Sequence, residues 1–162
     1  MTTNDKSYTA TIELEKPPRA VFKHLTTDVS KWWGGKDLQG PSLGSGDEFT
    51  IRHGDVHFSR QKVVEFAPDQ RLVWLVTESK LAWLTRDTGE WTHTRMVFEL
   101  SAKGRGTVLR FTHEGLTPQK ECHSRCVQGW EMVIKDWFFR FVAEGRVSDL
   151  VAEGRGSAQI SH

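Results

Sequence analysis

The residue with the clearest potential for chemistry is a histidine near the end of a strand-like segment. His113 alternates with Leu109 and Phe111, so its side chain is predicted to point into the protein. A neutral imidazole there can orient a ligand hydroxyl or carbonyl group, or carry a proton together with the adjacent Glu114. Alternatively, the ring bonds a backbone carbonyl and fastens the strand to a helix, which is the commoner role of a buried histidine.

A second group of polar side chains shares one strand. His57, Ser59 and Gln61 occupy alternate positions, so they form either a polar cavity wall or a solvated outer face. His53 and Asp55 lie just before them and suggest a metal site. However, the turn at Asp55 interrupts the strand, so these groups need not face one way.

Two cysteines form the other group with metal-binding potential. Cys122 and Cys126 share a helix face, whereas His123 lies about 100° round the helix from Cys122. The chain has no further cysteine pair to complete a tetrahedral site, so the two are predicted to be small buried residues. Phosphate-binding glycine loops and a nucleophilic Gly-x-Ser-x-Gly turn are missing. No metal or other cofactor is predicted.

The order of elements that would position these groups can be predicted from hydrophobic periodicity. Residues 8–15 alternate as a strand, Pro17-Pro18 stops it, and two short helices follow up to Gly34-Gly35. Residues 46–113 read as a meander of strands, interrupted by a long loop at 78–90. From about 118 to 143 the apolar residues recur at three- and four-residue steps, which predicts a long amphipathic helix.

A curved sheet with one bare face needs a cover, and the last helix is the only candidate in the sequence. The predicted fold class is therefore α+β: a helix-grip fold in which a curved antiparallel sheet wraps around a long C-terminal helix. Residues 1–7 are predicted to be an N-terminal lead, 8–145 the single domain, and 146–162 a polar, glycine-containing tail.

The composition of the chain argues against some classes of binding partner. The chain has 162 residues and a formal net charge of +1, which argues against nucleic acid or an anionic membrane surface as a partner. No run approaches the roughly 20 apolar residues that a membrane span needs, and no apolar signal core is present. A cytoplasmic location is expected.

Seven tryptophans and nine phenylalanines can either fill a core or line an apolar cavity. Strand parity and helix spacing predict which side chains would face a ligand between sheet and helix, although the same residues could simply pack as core. The predicted ligand-binding residues are Phe49, Ile51, Trp74, Phe98, Leu109, Phe111, His113, Trp130, Val133 and Trp137.

Several segments resemble the SRPBCC (START/birch-pollen-allergen-like) superfamily: DVHFSRQKVVEFAPDQRLVW (55–74), FTHEGL (111–116), ECHSRC (121–126) and Gly129-Trp130. The most similar branch is that of the homologues of the activator of heat-shock-chaperone ATPase. The resemblance covers about residues 8–145 and implies a helix-grip fold with an apolar cavity. Its members include lipid carriers, hormone receptors and cyclases. Where the family helix often ends in smaller aliphatic residues, this chain has Trp137-Phe138-Phe139, which implies a smaller or partly closed cavity.

Three functions are compatible with this resemblance. The first is binding of a small apolar or amphipathic ligand, with aromatic walls and His113 as a polar handle. The second is a module that interacts with a chaperone or another protein, including a homodimer. The third is a cyclase- or dehydratase-like enzyme that uses His113 with Glu114, although the sequence offers no positive case for catalysis.

Overall fold

The computed structural model describes residues 6–152. Six antiparallel strands form one sheet in the order β1-β6-β5-β4-β3-β2. The strands are β1 (Tyr8–Leu14), β2 (Glu48–His53), β3 (His57–Ala67), β4 (Arg71–Leu81), β5 (Arg95–Lys103) and β6 (Gly106–Glu114). Because β1 pairs with β6 along its whole length, the chain's first strand lies at one edge and β2 at the other.

Helical elements follow β1 and β6. The elements after β1 are α1 (Pro18–Thr27), a π-helical turn (Ser30–Gly34) and a 3₁₀ turn (Gly35–Asp37). The long helix after β6 has three parts, which are α2 (His123–Met132), a π-helical segment (Val133–Phe138) and α3 (Phe139–Glu144). The predicted α+β helix-grip fold, with short helices after the first strand and a long C-terminal helix, is confirmed.

Two predicted boundaries were wrong. β4 continues to Leu81 instead of ending at 77, because β3 pairs with it as far as the partners His57 and Leu81. The long helix begins at His123 and not at Pro118, because residues 117–122 form turns. The Glu90 carboxylate accepts hydrogen bonds from the backbone N–H groups of Glu121 (2.8 Å) and Cys122 (3.0 Å) at this helix entry.

Glu90 thus acts as a distant cap, since the first N–H groups of a helix have no partner within it. We expect Glu90→Ala to lower the free energy of unfolding by about 1 kcal/mol. Urea denaturation measures this loss. The matched control is Glu78→Ala, which removes an exposed ion pair with Arg60 and should change stability much less. Equal losses in the two variants would contradict the capping role.

Five aromatic rings fill the middle of the grip, which is the space enclosed between the curved sheet and the long helix. Trp33, Trp74, Phe98, Phe111 and Trp130 form a closed chain of neighbours with centroid separations of 4.6 to 6.1 Å. Each of them is at most 3% exposed. Three of these rings come from the sheet, one from α2 and one from the π-helical turn, so this aromatic cluster joins the sheet to its cover.

The chain after the long helix returns to the domain. Gly145 takes a left-handed conformation (φ 72°) just after α3, which is the usual way for a helix to end. A short helix, α4 (Asp149–Ala152), follows and carries Val151, which is 1% exposed and belongs to the core. The segment predicted to be a polar tail therefore contains an apolar anchor. Residues 153–162 of that segment, and residues 1–5 of the predicted lead, lie outside the described residues.

Candidate ligand cleft

A cleft lies at one end of the grip, where α2 faces the β2–β3 hairpin and the β4–β5 connection. Its free volume is about 30 Å³, which is room for about two water molecules. Four of its lining residues are tryptophans and two are histidines. The lining residues are Trp33, His53, His57, Leu81, Trp83, Trp91, Arg125, Cys126, Gly129, Trp130 and Val133.

The two histidines reach the cleft through the geometry of one hairpin. His53 ends β2 and His57 begins β3, and the register pairs them directly across the three-residue connection. Gly54 allows this tight reversal with a positive φ of 55°. Paired residues point to the same face of a sheet, so the two rings lie with centroids 5.1 Å apart.

His57 heads a buried polar row along β3. Its Nε2 lies 2.9 Å from the Oγ of Ser59, and that oxygen accepts a hydrogen bond of 2.5 Å from the side-chain amide of Gln61. Ser59 and Gln61 are completely buried, so this face of β3 is an interior polar wall and not a solvated surface. Burial, and next the charge on His53, hold the pKa of His57 well below its usual value, so the ring is neutral at physiological pH.

Trp91 and Trp130 form the flat wall of the cleft. Their rings are stacked, with centroids 5.8 Å apart and planes within 11° of parallel. The edge-to-face contact between Trp91 and His57 (5.0 Å) closes one side of this wall. The Trp91 indole N–H donates to the Sγ of Cys126 at 3.4 Å, which fixes the ring against α2. The wall is therefore aromatic and held in place before any ligand arrives.

Arg125 and Trp83 form the mouth of the cleft. The guanidinium carbon lies 4.5 Å from the centre of the Trp83 ring, which is a cation–π contact. The Trp83 indole N–H is buried and has no hydrogen-bond partner among the described residues. The loop that carries Trp83 is tied to the long helix, because the Glu121 carboxylate accepts hydrogen bonds from the backbone N–H groups of Thr85 and Arg86 (each 3.1 Å).

His113 lies behind the wall and uses both of its ring nitrogens within the protein. The Trp130 indole N–H donates to Nδ1 at 2.9 Å, so Nδ1 carries no proton and Nε2 carries it. Nε2 lies 2.8 Å from the hydroxyl oxygen of Thr94, which donates in turn to the Trp91 carbonyl oxygen. Burial, and next the charge of Lys120, lowers the pKa of His113 to about 3. The ring thus fastens β6 to α2 in the neutral state.

Cys122 is not poised as a nucleophile. The hydrogen bond with Cys126, followed by burial, raises the pKa of Cys122 far above its usual value, so that sulfur stays a thiol. Glu114 is also removed from His113, because successive residues of a strand point to opposite faces. These arrangements favour binding over covalent or acid–base chemistry at the cleft.

The sequence of this chain matches a known protein family. Residues 15–138 match the model of a family described as Activator of Hsp90 ATPase homolog 1-like protein. The chain belongs to this family. The family is of the SRPBCC type, so the superfamily resemblance noted in the sequence is confirmed. No protein of curated function matches the sequence closely.

Solved structures share this family's fold at low sequence identity. The Aha1 dimer of Colwellia psychrerythraea is 20% identical, with a TM-score of 0.70 over 86% of this chain and 98% of that one. CalU16 of Micromonospora echinospora is 18% identical, with a TM-score of 0.62 over 93% and 80% of the two chains. DynU16, from the dynemicin biosynthetic locus, is 17% identical, with a TM-score of 0.64. The match covers 88% of this chain and 49% of DynU16.

Within this family member, the ten predicted ligand-binding residues are all buried, but only two of them border the cleft. Trp130 and Val133 line it. The others lie deeper in the core or farther along the helix, and each is at most 4% exposed. Ligand contact by these eight residues stays a prediction. They are Phe49, Ile51, Trp74, Phe98, Leu109, Phe111, His113 and Trp137.

Sequence reasoning missed several lining residues that the fold brings together. Trp33 was assigned to the second short helix and Trp91 to no element, with no signal that both meet Trp130. His53 and His57 did carry a signal, because a three-residue connection pairs the residues on either side of it and turns both to one face. The same rule excludes Asp55, in the connection itself, from that pair.

Two features are absent from the described residues, 6–152. No group of three or more histidine, cysteine, aspartate or glutamate side chains among them is arranged to hold a metal ion. No helix in this part of the chain is long and apolar enough to cross a membrane.

Proposed function

We propose that this protein binds a small amphipathic molecule, with a flat ring, in the cleft between the sheet and the long helix. The free volume of about 30 Å³ does not hold a whole ring, so binding requires the partly exposed side chains at the mouth, Trp83 and Arg125, to move outward. The observation that carries the proposal is the convergence of four indole rings on a space that His53 and His57 also line. Apolar walls with a few placed polar groups are the usual composition of a small-molecule site.

The position of the cleft is supported by how the rest of the interior is packed. The aromatic cluster occupies the middle of the space between the sheet and the long helix, and the cleft lies at the end where this cluster meets Trp91. The stacked pair of Trp91 and Trp130 offers a rigid apolar surface, and such surfaces bind flat rings at little entropic cost. The site thus lies at one end of the predicted cavity and not along its whole length.

Binding without turnover fits the state of the titratable groups. His57 is neutral and is bonded to Ser59, and Cys122 stays a protonated thiol. Among the described residues, the lining contains no carboxylate that could act as a general base beside the ligand.

No particular contact favours a protein-interaction role over the cleft. Among the described residues the exposed large hydrophobic side chains are Leu43, Val64 and Val147, which lie on three separate segments. Isolated apolar side chains of this kind are normal on protein surfaces. A homodimer, the state in which the Colwellia Aha1 structure was determined, stays a prediction for this chain.

A pair of valine substitutions on the long helix tests the proposal. Val133→Leu adds one methylene group beside a cleft of about 30 Å³, whereas Val142→Leu adds it to α3, away from the cleft. With benzyl alcohol as the probe, we expect a rise in the melting temperature of the unmodified protein. Val133→Leu should weaken this binding about tenfold, and Val142→Leu should leave it unchanged.

Unfolding temperatures measured without the probe show whether the two leucine variants are equally well folded. The proposal would be overturned if benzyl alcohol and its ring-substituted analogues produced no shift in the unmodified protein. It would also be overturned if both leucine variants lost the shift equally, because the ligand would then bind without regard to the cleft.

A further inference from the structure

A chain of hydrogen bonds runs behind the aromatic wall of the cleft and joins its two tryptophans. The Trp130 indole N–H donates to Nδ1 of His113 at 2.9 Å. The other ring nitrogen, Nε2, lies 2.8 Å from the hydroxyl oxygen of Thr94. That hydroxyl group donates in turn to the carbonyl oxygen of Trp91, at 2.5 Å. The indole of one wall residue and the backbone of the other are therefore connected through two buried side chains.

The direction of each bond in this chain is fixed by its first donor. The indole N–H of Trp130 can only donate, so Nδ1 of His113 accepts and the ring proton lies on Nε2. Because Nε2 donates to Thr94, the proton of the threonine hydroxyl is left for the Trp91 carbonyl group. Both connections thus require a neutral ring that has an acceptor and a donor on two separate atoms.

The imidazole ring of His113 also contacts both indoles directly. Its plane lies at 90° to that of Trp91, with the centroids 4.9 Å apart, and at 87° to that of Trp130, with the centroids 5.8 Å apart. The histidine thus stands perpendicular to two rings that are themselves within 11° of parallel. His113 is completely buried and Thr94 is 7% exposed, so these bonds lie in a region of low dielectric constant.

The close approach of Thr94 to His113 depends on a glycine. Gly115, two residues after the histidine, has a φ of 100°, and a Cβ atom at this position would lie 2.7 Å from the methyl carbon of Thr94. A larger residue would push Thr94 away from its present place. The backbone after His113 therefore leaves room for the threonine that completes the chain of bonds.

From this geometry we infer that His113 is a positioning residue of the cleft, which holds the two indoles of the wall parallel through Nδ1 to Trp130 and through Thr94 to Trp91. This inference rests on the proposed binding function and assigns the alignment of the wall to one buried side chain. His113 is not among the residues that line the cleft, so it acts on a ligand through the two tryptophans. A histidine with a merely structural role would contribute to stability and leave the affinity unchanged.

NMR of the full ¹⁵N-labelled chain tests these bonds without a ligand. The ¹⁵N shifts of His113 should show the tautomer with its proton on Nε2, and a coupling should join Nδ1 to the Trp130 indole nitrogen across the hydrogen bond. Thr94→Val removes the hydroxyl group and nearly keeps the shape, so it should shift the Trp130 indole signal through His113. Thr94→Ser, which keeps the hydroxyl group, should recover most of the original signal.

Binding of benzyl alcohol tests the consequence for the cleft. Thr94→Val should weaken binding at least about threefold, and Thr94→Ser should recover most of this loss. Thr107→Val is the matched control, because Thr107 is likewise buried, donates to the Lys16 carbonyl oxygen at 2.7 Å and does not line the cleft. Both valine variants should lose stability, but only Thr94→Val should lose affinity.

The outcomes separate the positioning role from the proposed function. If Thr94→Val binds benzyl alcohol as tightly as the unmodified protein, or if Thr107→Val weakens binding equally, the positioning role is wrong and binding in the cleft stands. A His113 proton on Nδ1 would overturn the positioning role without any ligand, even if Thr94→Val did not fold. If the unmodified protein binds neither benzyl alcohol nor its analogues, the proposed function falls and the positioning role falls with it.

Discussion

Replacing Trp74 by alanine should lower the free energy of unfolding by about 3–5 kcal/mol, the largest effect expected of any single substitution considered in this protein. Trp74 is completely buried at the centre of the sheet, between the stacked rings of Trp32 (6.2 Å) and Trp33 (6.1 Å). Removal of its indole would leave a cavity that these neighbours cannot collapse to fill. Urea denaturation gives the difference directly.

Two control variants show whether the loss of stability comes from the packing of Trp74 or from the removal of any tryptophan. Trp74→Phe should lower the free energy of unfolding by less than half as much, because an aromatic ring still fills most of the site. The indole N–H that this substitution removes has no hydrogen-bond partner among the described residues. Trp83→Ala, at the partly exposed mouth, should also cost less than Trp74→Ala. If Trp74→Ala and Trp83→Ala were equally stable, the middle of the grip would not be packed as described.

Acidification should destabilise the protein before its carboxylates titrate. His113 has a folded-state pKa of about 3 because it is buried, and the pKa of His57 is lowered for the same first reason. The unfolded chain binds protons at both positions below about pH 6.5, so stability is lost as the pH falls from there towards the folded-state values. Between pH 7 and 5.5 the loss from His113 should be about 1 kcal/mol, and His57 should add to it.

The slope of stability with pH identifies the groups responsible. His113→Gln should reduce the loss between pH 7 and 5.5 by about 1 kcal/mol, whatever its effect on absolute stability. Leu109→Val, on the same strand as His113, removes no titratable group; it is the matched control and should keep the full slope. A slope unchanged by His113→Gln would mean that the ring is not held neutral by burial.

Much of the fold could be predicted because local pattern and global packing agree. Alternation predicted β1, β5 and β6, and three- and four-residue spacing predicted the cover helix. The end of β4 was harder, because residues 78–81 lose apolar alternation and are held as a strand by pairing with β3. The start of the long helix was also hidden, since it depends on Glu90, which lies far away in the sequence.

The site was less accessible to sequence reasoning than the fold. Parity predicts which side chains point inward, but not whether they meet other side chains or empty space. The π-helical segment Val133–Phe138 adds to this difficulty, because the extra residue in its turn shifts every later side chain round the helix relative to a regular α-helix. Val133 borders the cleft, whereas Trp137, one turn farther along the helix, does not.

The most direct test of this account is the crystal structure of the protein soaked with benzyl alcohol, the neutral probe of the cleft. We expect the ring to lie against Trp91 and Trp130, with its hydroxyl group within hydrogen-bond distance of His57 or the Trp83 N–H, and the aromatic cluster to stay unmoved. A ring inserted among Trp74, Phe98 and Phe111 would contradict the account, because the ligand site would then be the centre of the grip.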